Sequence, residues 1–213
     1  MRNSIILVIA TRNKGKTQEI KDLLKDFPVD IKNLGDFGPI PKLEEDGDTF
    51  DENAYKKASF AARILGQPAL ADDSGLVVEA LGGAPGIHSA RYAGENATDE
   101  QRYLKLLEEM KGKSNRRAAF ECVISIAVPT GVALTYEARC EGLISQKPEG
   151  SNGFGYDPVF FYPPYNKTFA QITREEKNRI SHRGKALAEL KSEFDKVLVW
   201  IRQNMPFIEK RYH

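Results

Sequence analysis

Residues Ile5–Phe27 read IILVIATRNKGKTQEIKDLLKDF. The run Ile5–Ala10 is short, continuous and β-branched, which predicts a strand buried on both faces. A polar loop with one glycine follows, and then Ile20, Leu23, Leu24 and Phe27 fall on one face at helical spacing. The unit is strand, phosphate-type loop, helix. It nearly fits the P-loop pattern, with Gly15, Lys16 and Thr17 in place but Ala10 where the first glycine belongs. That glycine supplies backbone freedom which alanine lacks, and Thr11, Arg12, Asn13 and Lys14 are bulky for such a loop. The P-loop family is therefore set aside and its physics kept. Backbone N–H groups at a helix start, with Lys14 and Lys16, make an anion site. Taken alone, the same stretch reads as a solvated basic helix start.

Working outward, Thr49-x-x-Glu52 predicts a capping box opening a helix with a buried stripe of Phe50, Ala54, Ala58, Ala61 and Leu65, ended by Gly66. Thr98-x-x-Gln101 caps another, with Leu104, Leu107 and Met110 inward. Phe120, Cys122, Ile124, Ile126 and Val128 alternate as in a half-buried strand. A turn at Pro129-Thr130-Gly131 leads back through Leu134, Tyr136, Ala138 and Cys140, so the pair predicts a long hairpin. Pro158–Tyr162 reads as another strand, and a final helix starts near Ser181 or Arg183 with a stripe from Leu187 to Ile201. Helices alternating with strands around a hairpin predict an α/β domain with a mixed sheet.

The chain has 213 residues, 41% apolar and 29% charged, enough for one large domain or two small lobes. A net charge of +1 leaves no broad footprint for nucleic acid or a membrane surface, so any polyanion site is local. Two cysteines in neighbouring apolar runs read as buried reduced thiols. No apolar segment approaches the roughly 20 residues that span a bilayer, and Ile5–Ala10 is too short for a signal peptide. The expected location is the cytoplasm.

Four stretches carry chemistry. Thr11–Lys16 is the anion loop. Glu44, Glu45, Asp72 and Asp73 form an acidic set; Asp72-Asp73 closes an apolar run before Ser74-Gly75, at what reads as the C-terminal end of a strand. Magnesium takes one or two protein carboxylates plus phosphate oxygens, so one arm from each acidic pair suffices. Ser151–Asp157, SNGFGYD, offers a flexible backbone, an aromatic ring at Phe154 and a carboxylate at Asp157, suited to a planar heterocycle. Lys177, His182 and Arg183 offer donors for a carbonyl oxygen. Each has a plain structural reading: a solvated turn, a loop with Phe154 in the core, a helix start capped by Ser181. Their joint occurrence carries the inference.

Together the segments resemble the inosine/xanthosine triphosphate pyrophosphatase family, its bacterial members most closely. The matching residues are Thr11, Asn13 and Lys16; Glu44-Glu45 before Gly47 and Thr49-Phe50; ADDSGL at Ala71–Leu76; LGGAPGIHSARYAG at Leu81–Gly94; GFGYDP at Gly153–Pro158; and ISHRGKA at Ile180–Ala186. Arg12 fills a slot where the family often has a small residue. The resemblance implies one domain over 1–213 made of two α/β lobes, a long curved mixed sheet flanked by helices, and a site in the central cleft. It implies a homodimer, Mg²⁺ dependence, and hydrolysis of ITP, dITP and XTP to the monophosphate and pyrophosphate. Carried over by position, Thr11, Arg12, Asn13, Lys14, Gly15 and Lys16 grip the triphosphate. Glu44 or Glu45, with Asp73, holds magnesium. Asp73 accepts the proton of the attacking water, with Asp72 beside it, and Ser74 touches substrate. Phe154, Gly155, Tyr156, Asp157, Lys177, His182 and Arg183 bind the nucleoside. The Gly82–Tyr92 loop matches the family, but no role is derived for its residues.

Overall fold

The computed structural model describes residues 4–11, 14–41, 43 and 46–206. Its strands are β1 (Ile5–Ile9), β2 (Val29–Asn33), β3 (Ala69–Val78), β4 (Arg117–Ala127), β5 (Ala133–Ile144), β6 (Phe160–Tyr162) and β7 (Lys167–Thr168). Its α-helices are α1 (Lys14–Leu24), α2 (Phe50–Leu65), α3 (Asp99–Glu109), α4 (Arg174–Ile180) and α5 (His182–Asn204). The strands form one sheet in the order β2-β1-β3-β4-β5-β6-β7. β1 runs parallel to β2 and β3, whereas β6 is antiparallel to β5 and β7. The expected mixed α/β sheet is present. No described helix is long and apolar enough to cross a membrane.

The chain divides into two compact units. The first takes Met1–Asp73, Val123–Tyr136 and Leu187–His213. Here α2 meets the sheet through small side chains: Ala58, Ala61 and Ala62 lie against Val8, Ala69, Ala71 and Ala127 in one buried cluster. Alanine on both sides lets a helix approach a sheet closely, and it leaves no slack for a larger side chain. Thr49 caps α2 as expected, its Oγ accepting the Glu52 N–H. The return half of the box differs, because the Glu52 carboxylate accepts from Asp48 N–H rather than from Thr49. Phe27 lies past the end of α1 and meets the Phe194 ring edge-on at 4.8 Å.

The second unit takes Ser74–Cys122 and Glu137–Ala186. Its core is aromatic: the rings of Phe120, Phe160 and Phe169 lie 4.6–5.9 Å apart among Leu76, Leu106, Met110 and Ile172. The Thr98/Gln101 capping box on α3 is reciprocal. Met110 is buried and Leu107 packs partly buried on this core as expected, but Leu106 is buried in place of Leu104, which is 48% exposed. Two further expectations change. β4 is buried on nearly every position, as a central strand with a neighbour on each edge. The strand expected over Pro158–Tyr162 is shorter: a 3₁₀ turn covers Asp157–Val159, and β6 takes only Phe160–Tyr162. β2, β7 and the separate helix α4 are additions to the sequence reading.

Cys122 and Cys140 are both buried thiols outside any disulfide, as expected. Burial pushes the Cys140 thiol up to about 11. A thiol reacts as its thiolate, so neither cysteine should react with Ellman's reagent in the native protein at pH 8, and both should titrate in urea. Rapid release of even one equivalent from the native protein contradicts this burial.

Candidate active site

The first unit holds the acidic half of the predicted site. The pairing of β1 with β3 stops at Ile9 with Leu70, while β3 continues to Val78. Asp72 and Asp73 therefore lie inside a strand, past the end of its neighbour, and not at the strand's own end as the sequence suggests. Successive strand residues point to opposite faces, which turns the two adjacent carboxylates apart. Each has its own lysine. Lys16 Nζ, from the first turns of α1, lies 2.9 Å from both oxygens of Asp72. Lys57 Nζ, from α2, lies 2.7 Å from Asp73 Oδ1. Both aspartates are mostly shielded, with side chains 12% and 14% exposed. Charges held away from water need such partners.

Thr11 follows β1, its N–H bonded to Ile9 O, and Lys14 and Gly15 open α1. Arg12, Asn13, Glu44 and Glu45 lie outside the described residues. The chain that follows the glutamates is pinned to α2. Asn53 accepts the Gly47 N–H and donates to Gly47 O, while Lys56 pairs with Asp46 at 3.0 Å. Ser74 is next along β3. Its Oγ is buried with no hydrogen-bond partner among the described residues. Leaving a buried hydroxyl unpaired costs about 1–3 kcal/mol, so this atom suits a ligand.

The second unit holds the heterocycle half. Gly153 has φ +78°, and a Cβ there would meet Asp157 Oδ2 at 2.0 Å, so only glycine lets the loop close on that carboxylate. Asp157 Oδ2 accepts the Phe154 N–H at 3.0 Å and is ion-paired with Lys177. Burial pushes the Asp157 carboxyl up, and Lys177 opposes that shift. The Phe154 ring is 63% exposed, with the Lys177 ammonium 4.3 Å from its centre. Tyr156 is buried and its hydroxyl donates to Ser89 O at 2.8 Å, so its phenol serves the fold.

His182 and Arg183 open α5. The imidazole stacks on Phe120 with ring centres 4.7 Å apart, which ties its orientation to the aromatic core. Ser181 ends α4 and also caps α5, its N–H bonding Lys177 O and its Oγ accepting the Gly184 N–H. A Cβ on Gly184 would lie 1.7 Å from Asn178 O, so this corner is closed to any side chain.

Sequence reasoning missed Lys57. Its signal is positional: a lysine three residues after Ala54 and four before Ala61 falls on the buried stripe of α2, where a charge needs an acidic partner. It also missed Ser89, whose Oγ accepts the Leu76 N–H and donates to Gly86 O. With Tyr156 on its carbonyl, Ser89 joins β3 to the Phe154–Asp157 loop and gives the Gly82–Tyr92 segment a structural role.

The sequence pattern of the Ham1 family matches residues 7–193. A dITP/XTP pyrophosphatase of Syntrophobacter fumaroxidans is 63% identical over 196 residues, 92% of this chain and 84% of that protein. One of Desulfotalea psychrophila is 58% identical over 200 residues, 94% of this chain and 90% of that protein. Among solved structures, a HAM1 protein from Coxiella burnetii superposes with a TM-score of 0.87 at 43% identity, covering 90% of this chain and 99% of that one. The Staphylococcus aureus Ham1 protein gives 0.85 at 42% identity, with the same coverage. With a family match over most of its length and relatives this close, the chain belongs to the Ham1 family.

Proposed function

We propose that this protein is a nucleoside-triphosphate pyrophosphatase. It hydrolyses the non-standard purine nucleotides ITP, dITP and XTP between the α and β phosphates, releasing the monophosphate and pyrophosphate and clearing the nucleotide pool. The observation that carries the reading is the pair of lysine-bound aspartates on β3, beside a buried serine hydroxyl with no partner among the described residues, in a chain whose relatives are named dITP/XTP pyrophosphatase.

The donor set fits magnesium, since the acidic half offers hard carboxylate oxygens. Magnesium takes one or two protein carboxylates and fills its other positions with phosphate and water oxygens. Asp73 with Glu44 or Glu45 would hold it. When bound, it neutralises phosphate charge and acidifies a coordinated water. Asp73 accepts the proton of the water that attacks the α-phosphorus, and Lys57 holds that carboxylate in place through Oδ1. Lys16 and the amides that open α1 meet the negative charge that develops on the departing pyrophosphate. Ser74 Oγ donates to a phosphate oxygen.

In the second unit, the exposed Phe154 ring stacks on the purine. His182 and Arg183 donate to the six-position oxygen of hypoxanthine or xanthine. Adenine carries an amino donor there, and donors facing a donor go unpaired, which rejects ATP. Under the same proposal the units are the lobes of one domain over 1–213, and the enzyme is a cytoplasmic homodimer acting on free nucleotides. The balanced charge supports the lack of a nucleic-acid or membrane partner.

With ITP and Mg²⁺ the protein should yield IMP and pyrophosphate in equal amounts; orthophosphate as the first product, without IMP, overturns the reading. Asp73→Asn should lose about a hundredfold or more in kcat while ITP still binds within a few-fold, as expected on removing a general base. Ser74→Ala should lose activity yet unfold at the same or a higher urea concentration, because the native hydroxyl costs about 1 kcal/mol or more when unpaired. A clearly less stable variant would show that the hydroxyl supports the fold. Arg183→Ala should lower the ITP/ATP ratio of kcat/KM by about tenfold, the worth of one charge-assisted hydrogen bond.

A further inference from the structure

The Phe154–Asp157 loop must present its ring in one direction, yet Gly153 and Gly155 on either side of Phe154 have φ of +78° and +62°. Glycines give a loop backbone many alternatives, so the ring is aimed by whatever fixes the neighbouring peptides. The Phe154 N–H is held inside the loop by Asp157. The Gly155 N–H is held from outside it. It donates to Asp99 Oδ2 at 2.7 Å, across a separation of 56 residues.

Asp99 is well placed to hold it. It is the first residue of α3, whose start is locked by the reciprocal Thr98/Gln101 box and whose inner face is buried at Leu106 and Met110. Its other oxygen, Oδ1, pairs with Arg102 Nη1 at 2.6 Å. Each carboxylate oxygen thus has a separate duty, one to α3 and one to the loop.

An acidic residue in the first turn of a helix has an ordinary explanation, the favourable meeting of negative charge with the helix dipole. Glu100 satisfies that explanation equally, as the other acid of the same turn. The Gly155 contact belongs to Asp99. We propose that Asp99 is a positioning residue for base recognition: by holding the Gly155 amide it sets the face that Phe154 offers to the purine. This rests on the role given above to Phe154.

The test compares Asp99→Ala, Asp99→Asn and Glu100→Ala. In Asp99→Ala, KM for ITP should rise about fivefold with kcat within about twofold, the worth of one net hydrogen bond spent on binding. Asp99→Asn keeps an oxygen for the Gly155 N–H and should recover most of the KM. Glu100→Ala should lose the helix-dipole contribution that Asp99→Ala also loses, and keep the wild-type KM. In ¹⁵N-labelled protein the Gly155 amide resonance should move upfield in Asp99→Ala and stay in place in Glu100→Ala. A wild-type KM in Asp99→Ala, an equal KM rise in Glu100→Ala, or an asparagine variant as impaired as the alanine one overturns the proposal. Failure of the broader reading looks different: wild-type protein would then release no pyrophosphate from ITP, while the Gly155 resonance would still report the tether.

Discussion

Two carboxylates that follow one another on a strand must face opposite ways, and in this protein that constraint governs the acidic half of the site. Asp72 and Asp73 turn apart, and the first unit brings a lysine to each, Lys16 from α1 and Lys57 from α2. Each helix is thereby tied to β3 at a fixed point along its length. The alanines of α2 matter for the same reason, because a lysine in the second turn of a helix reaches a strand only if the helix lies close. The early end of β1 completes the arrangement by leaving that part of β3 without its parallel partner.

The heterocycle half is built on a different principle. Its polar groups sit on an aromatic core, with His182 stacked on Phe120, Lys177 over Phe154 and within 5.6 Å of the Phe169 ring centre, and Tyr156 buried to its hydroxyl. Stiff rings with few rotamers hold the donors. The buried ion pair of Asp157 with Lys177 is set among stacked planes. The acidic half restrains groups by opposite charge, and this half restrains them by shape.

Much of this was legible in the chain. β-branched runs, capping signals and the hairpin alternation gave most elements, because each rests on local chemistry. What escaped depended on neighbours distant in sequence. Leu104 and Leu106 are equally apolar, and only the packing of α3 decides which turns inward. The Asp72-Asp73 pair looked like a strand end because the apolar run stops there, whereas β3 continues through it. Glu52 was expected to reach Thr49 and reaches Asp48, a choice set by how the chain enters α2. Lys57 was visible as a charge on a buried stripe. Ser89 and Asp99 act through single hydrogen bonds to segments far along the chain, and nothing local marks them.

The corner at Ser181 has a consequence for how such a site can change. Lys177 stands on one helix and His182 and Arg183 on the next, and a single residue both finishes the first and starts the second, with Gly184 packed against Asn178 O. Residues on a helix turn by about 100° each, so lengthening this junction by one residue would swing one group of donors well out of register with the other. Substitutions at the donors can therefore alter their chemistry one at a time, but the angle between them is inherited as a unit. A new ligand shape would have to be met by new side chains on a fixed frame, since the junction has no intermediate lengths to offer.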